Sequence, residues 1–213
     1  MNIERILGAL LSFILGTVVG SFLNVLMYRL PRRESIVFPG SHCPVCDASI
    51  HWWDNIPVVS YFLLRGKCRS CAAGISVRYP IIEVTAGGMA LWLFMLHGPS
   101  VRFAAHLFLA WLLLVAAIID AEHMIIPNRL TFPGMAVAGA IATVQGPIII
   151  LSGLTGALAG VAVLGFMYIL GRVAFKREGV GMGDFKLVIV MGLILGPLWT
   201  VVGLWCAVVT GGV

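Results

Sequence analysis

Charge is what this chain most lacks. Only 11% of its 213 residues are charged, nine of them Asp or Glu, while 60% are hydrophobic and the mean hydropathy is +1.03. Such scarcity excludes an ordinary soluble domain, in which about a quarter of residues are charged. Ile6–Tyr28, Phe103–Ile119 and Ile148–Gly171 contain no charge at all, and Pro80–His97 carries only Glu83. A spanning helix needs roughly 20 mostly apolar residues. Shorter apolar runs follow at Leu130–Val144, Phe185–Gly196 and Leu198–Val213. The expectation is an all-α polytopic membrane protein with about seven transmembrane helices. No small-residue cleavage site follows the first run, which is also too long and uninterrupted for a cleaved signal peptide.

The positive charges are few and unevenly placed. Arg29, Arg32, Arg33, Arg65, Lys67, Arg69 and Arg78 fall after the first apolar run. Arg129 follows the third, Arg172, Lys176 and Arg177 follow the fifth, and Lys186 adjoins them; only Arg5 and Arg102 fall on the other side. By the positive-inside rule these loops are cytoplasmic and the N-terminus faces out. The basic residues flank helices instead of forming one stripe, which speaks against nucleic acid as a partner and leaves the lipid bilayer.

Cysteine is scarce too, and four of the five lie in one loop. SHCPVCDASI and RGKCRSCAAG place Cys43 with Cys46 and Cys68 with Cys71, each pair two residues apart. Two such knuckles can bring four thiolates around one tetrahedral zinc. Two disulfides or an empty thiol cluster are the alternatives, and a reducing cytosol argues against disulfides. The expected organisation is a first transmembrane helix over residues 1–28, a small cytoplasmic zinc-knuckle domain over 29–79, and a transmembrane domain over 80–213. His42 and His51 read as surface histidines, because four thiolates already close a site. The intervening HWWDNIPVVSYFLLRG is too apolar for a free loop, and Trp52 and Trp53 suggest a segment lying on the membrane surface or the helix bundle. Cys206 reads as a small buried hydrophobe.

Ionisable residues at membrane helices are functional candidates by default. Asp120 ends the third apolar run in AAIIDAEHMIIPN, and Asp184 opens the sixth in GVGMGDFK. Both lie at the cytoplasmic boundary of the topology above. Two carboxylates brought together can share a proton, one activating water while the other protonates a scissile carbonyl. Gly181 and Gly183 would let a substrate backbone approach closely. The plainer alternative is a pair of interfacial charges ending helices. Glu83, Glu122, Glu178 and His123 also lie near boundaries and are assigned no chemistry.

The order GSFLNVLMYRLPR, CPVC, WWDNIPVVSY, RGKCRSC, ISVRYPIIE, IIDAEHMIIPN and GVGMGDFK resembles the prepilin peptidases, or type IV leader peptidases, of pilus assembly and type II secretion. The resemblance runs over essentially the whole chain. It implies the G-x-G-D signature of membrane aspartyl proteases at Gly181-Met182-Gly183-Asp184, with Asp120 as the second catalytic aspartate. It further implies cleavage of basic leaders from prepilins or pseudopilins at the cytoplasmic face of the bacterial inner membrane. N-methylation of the new N-terminus with S-adenosylmethionine is a further implication. No glycine-rich loop after a strand marks a methyl-donor site, and no residue is named for it. A methyltransferase lacking peptidase activity, or a non-catalytic scaffold docking through its zinc domain, are the competing readings. Family members extend further and end in another apolar helix, whereas this sequence stops at CAVVTGGV.

Overall fold

A computed structural model describes residues 3–175 and 181–211, with side chains for 3–173 and 181–209. The basic pair Lys176 and Arg177, Glu178, Gly179 and Val213, all considered above, lie outside the described residues. Helices follow in order: α1 (Ile3–Arg29), α2 (Val59–Leu63), α3 (Arg78–His97), α4 (Val101–His123), α5 (Asn128–Gln145), α6 (Pro147–Phe175) and α7 (Met182–Gly211), with a 3-10 turn at Trp52–Asn55. As far as they are described, the seven apolar runs fall in helices, and the last two are joined within α7. Five helices (α1, α3, α4, α6 and α7) are long and apolar enough to cross a membrane. The chain is a multi-pass, all-helical membrane protein with a small loop domain after its first span.

The division inside α7 has a local cause. Gly196 has φ 73° and ψ 179°, and Pro197 follows it. Proline has no N–H to continue the ladder and glycine tolerates positive φ. The Thr200 hydroxyl, one turn on, donates to the Gly196 carbonyl at 2.7 Å.

The chain forms two compact units, Met1–Trp111 and Leu112–Val213, the division falling within α4. In the first, α1 packs on α3 through small residues. A Cβ on Gly16 would come 2.8 Å from the Ala90 Cβ, and one on Gly20 would come 2.8 Å from the Glu83 Cα. This is the close backbone approach that a G-x-x-x-G spacing, here GTVVG, permits between membrane helices. Ala90, Leu93 and Leu107 form a buried cluster with Phe103 and Trp111 against it. In the second unit α6 and α7 pack around Leu164, Val188 and Leu204. Cys206 sits on the exposed side of α7, contrary to the sequence expectation. A run that is apolar all round does not reveal which face packs.

Candidate functional site

The loop between α1 and α3 is built on two copies of one turn. In the first, Cys43 N–H donates to the Ala48 carbonyl at 2.9 Å and Asp47 N–H returns to the Cys43 carbonyl at 2.9 Å. In the second, Cys68 N–H donates to Ala73 at 2.8 Å and Ala72 N–H to Cys68 at 2.9 Å. Asp47 and Ala72, at φ 54° and 59°, turn each knuckle. Isolated bridges His42–Ser49 and Lys67–Gly74 close the two loops at matching places. The repeat is visible in SHCPVCDASI against GKCRSCAAGI once the turns are superposed, although the cysteine spacing alone had drawn attention.

This repetition aims four sulfurs inward. The Sγ atoms of Cys43, Cys46, Cys68 and Cys71 all lie within 4.8 Å of one another, with Cys43 and Cys71 3.8 Å apart. Tetrahedral zinc with Zn–S bonds of about 2.3 Å requires sulfurs roughly 3.8 Å apart. A disulfide would need about 2.05 Å. The cluster therefore fits a metal ion, and none of the four cysteines is disulfide-bonded. Backbone N–H groups of Cys71 and Ser70 lower the Cys68 thiol to about 7. Against a lowering by the Ala48 N–H, hydrogen bonds to the Cys71, Cys43 and Cys68 thiols raise Cys46 to about 12. Thiols that compete this way for protons release them together to a cation. His42 and His51 are exposed, as expected.

The second knuckle is tied to the tryptophan turn. Arg69 grips Asp54 with two hydrogen bonds, Nε at 2.8 Å and Nη2 at 2.5 Å. That guanidinium holds the Asp54 carboxyl below its ordinary range. Trp52 and Trp53 are both exposed, with Trp53 stacked on His51 at 4.6 Å.

Asp120 and Asp184 both belong to the second unit. Asp120 lies exposed in the last turn of α4, and its carbonyl accepts the Met124 N–H at 2.7 Å. Asp184 is half-buried in the first turn of α7. Its Oδ2 accepts the Gly181 N–H at 2.8 Å while its own N–H donates to the Gly181 carbonyl at 3.1 Å. The first of these bonds is half of a capping box, with a carboxylate three residues into the helix reaching back to the cap. It also puts negative charge at the positive end of α7. The Gly181 backbone thus fixes this carboxylate.

What joins the two ends is the segment after Asp120. A Cβ on Gly183 would stand 2.7 Å from the Ile126 Cβ, so the bare glycine is where Ile126 seats. Lys186 Nζ donates to Asn128 Oδ1 at 2.5 Å and lies 5.0 Å from the Phe132 ring centroid. Residues 126–128 are thereby held along the first turn of α7, six residues beyond Asp120 and beside Asp184. The sequence reading missed Ile126, Asn128 and Lys186. Their only signal was adjacency to the two aspartate motifs. Gly181 differs from Gly183, because among the described residues a Cβ there would meet the Asp184 carboxylate first, at 3.5 Å.

A multi-pass helical protein with a four-thiol knuckle loop and two aspartates at the ends of separate helices is the class these features define. Comparison with known proteins makes it particular. Residues 14–97 match the bacterial peptidase A24 N-terminal domain, and residues 107–213 match the type IV leader peptidase family. The chain belongs to the type IV leader peptidase family. It is 39% identical to the prepilin leader peptidase/N-methyltransferase of Myxococcus xanthus, over 88% of this chain and 56% of that protein. Identity is 37% to the protein so named in Stutzerimonas stutzeri, covering 86% of this chain and 71% of the relative. For the Klebsiella pneumoniae protein of that name the values are 38%, 86% and 83%. No solved structure matches.

Proposed function

We propose that this protein is a prepilin leader peptidase of the bacterial inner membrane that also N-methylates the N-terminus it exposes. The observation that carries the peptidase reading is the seating of residues 126–128 on the first turn of α7, beside the carboxylate that turn holds. Asp120 and Asp184 are the catalytic pair. One carboxylate takes a proton from water as the oxygen attacks the scissile carbonyl, and the other gives a proton to the carbonyl oxygen. Collapse of the tetrahedral intermediate then passes a proton to the leaving amine, and no covalent enzyme intermediate forms. Gly181 serves through its backbone N–H, which donates to the Asp184 carboxylate. Gly183 serves the fold of the site through Ile126.

The substrate class is a prepilin or pseudopilin with a basic cytoplasmic leader and an apolar stem in the bilayer. The charge distribution supports an N-terminus outside, with the knuckle loop and both aspartates at the cytoplasmic face. Residues 29–79 form the zinc-binding loop domain. Cys43, Cys46, Cys68 and Cys71 would hold the zinc, whose four thiolates leave no open position, so its role is structural. S-adenosylmethionine, as the methyl donor, supplies an electrophilic methyl group.

The test is leader cleavage in reconstituted membranes, using a prepilin with a basic leader and a Gly-Phe junction. Asp120→Asn and Asp184→Asn are each expected to abolish cleavage while leaving the thermal unfolding of the chain unchanged. Product mass with S-adenosylmethionine present is expected to show one added methyl. Cleavage surviving in either variant would refute the dyad.

A further inference from the structure

The knuckle loop carries an apolar surface that neither the four thiols nor the two aspartates use. Trp52, Phe62 and Leu63 are each at least 70% exposed, and Trp53, Ile56 and Val59 are exposed as well. These residues belong to one folded piece. The Ser60 hydroxyl donates to the Trp53 carbonyl at 2.9 Å and accepts the Ile56 N–H at 3.0 Å, joining the 3-10 turn to α2 around a buried serine. Val59, Phe62 and Leu63, three and four residues apart, share one side of α2. Exposed apolar surface of this kind marks a contact with a partner or a membrane.

Two buried charged groups fix the height of this piece on the spans. Glu83 lies within the span α3 and is 7% exposed. Its Oε2 accepts the Val58 N–H at 2.7 Å, and the Ser21 hydroxyl of α1 also bonds the carboxyl group. Glu83 is the sixth residue of α3, about 7.5 Å along the axis from Arg78. One side chain's reach from that depth keeps Val58 beside the first turns of the span. Val58 has φ 63° and ψ −51°, and Val59 N–H donates to the Pro57 carbonyl at 2.6 Å. For a β-branched residue this is an outlier, of the kind that persists where surrounding structure enforces it. At the other end Arg29, buried at the close of α1, donates to the Ser35 carbonyl at 2.9 Å and the Gly40 carbonyl at 3.3 Å. The chain is thereby folded back over the end of that span.

We propose that Trp52–Leu63 is an interfacial segment, its apolar side sunk among the phospholipids of the bilayer that α1 and α3 cross. The knuckle is then seated on the membrane at the ends of these spans instead of standing free in water. The proposal needs only the spans and is independent of the peptidase reading. Tryptophan favours the headgroup level, and phenylalanine and leucine opposite cations suit a helix lying in that plane. Arg65 and Lys67, both exposed, directly follow this face, where lipid phosphates would meet them. Residues 29–79 hold seven basic and three acidic residues. That balance attracts phosphate and repels the basic leader of a prepilin, so the charges favour lipid as the occupant.

The experiment uses the whole chain in phosphatidylcholine nanodiscs containing a trace of phosphatidylcholine with a diazirine near the start of one acyl chain. After photolysis the labelled residues are located by mass spectrometry, and bound zinc is measured on the same samples. Label is expected on residues 52–63 as well as on the spans. Withdrawing two large apolar side chains in Phe62→Ser/Leu63→Ser should lower the label on this segment about tenfold or more, with label on the spans and bound zinc unchanged. Trp52→Ser, on the other half of the piece, should lower it in the same direction. The proposal is overturned if wild type is labelled on its spans and not on residues 52–63, or if both variants are labelled there as strongly as wild type. It is also overturned if added prepilin protects residues 52–63, which would make the face a substrate site. Protection in discs holding two chains, absent in discs holding one, would assign the face to a second copy and overturn it too.

Discussion

Within G-x-G-D the two glycines should respond very differently to a single methyl group. In Gly183→Ala the new Cβ would be placed 2.7 Å from the Ile126 Cβ. Carbon atoms rest about 3.5–4.0 Å apart, so Ile126 must retreat by about 1 Å. Ile126 belongs to the segment that seats beside Asp184, and Lys186 holds its neighbour Asn128. A misplacement of about 1 Å at a reacting centre costs on the order of 100-fold in rate. The overpacking itself should cost roughly 1–3 kcal/mol of stability. In Gly181→Ala the nearest atom among the described residues is the Asp184 carboxylate at 3.5 Å, an ordinary contact, and cleavage should stay within about threefold of wild type. The assay is prepilin cleavage in nanodiscs, with thermal unfolding measured on the same samples. Since the clash is with Ile126 Cβ, Ile126→Gly should restore part of the Gly183→Ala loss, whereas Ile126→Val should not. Tolerance at 183 with severe loss at 181 would refute the seating argument and return substrate approach as the reason for both glycines.

Three other outcomes follow from the same geometry. Replacing Cys43 or Cys71 by Ser should lower bound zinc, measured by elemental analysis, from about one ion per chain toward none, because structural sites need all four ligands. Asp54 is held below its ordinary range by Arg69, so its contribution to the loop is present above the unfolded carboxyl value and is lost as pH falls through the lower folded value. Tryptophan emission from Trp52 and Trp53 should report that acid transition, and Asp54→Asn should remove it. In Gly20→Val the side chain would be driven into the Glu83 backbone, 2.8 Å from its Cα, and should destabilise the first unit by roughly 1–3 kcal/mol. Calorimetry of the detergent-solubilised chain would detect the shift, and an unchanged profile would mean α1 and α3 do not pack this way.

Much of this protein is legible before it folds. Runs without charge must become helices in a bilayer, because backbone groups there have to bond within their own segment. Two C-x-x-C pairs announce a four-thiolate site because ligand chemistry restricts the spacing, and the structure gathers all four sulfurs. Asp120 and Asp184 stand out because charge near a span is costly. Contacts between residues distant in sequence left no such trace. Cys206 looked buried and is exposed, since a uniformly apolar helix does not encode its packed face. Glu83 looked like a boundary charge, but only the meeting of α1, α3 and the loop at Val58 gives it a buried partner. Gly183 looked like an opening for substrate, yet its missing side chain is the seat of Ile126. Composition and ligand chemistry act locally and can be read along the chain. Which faces touch is a property of the packed helices, and only the tertiary structure decided it.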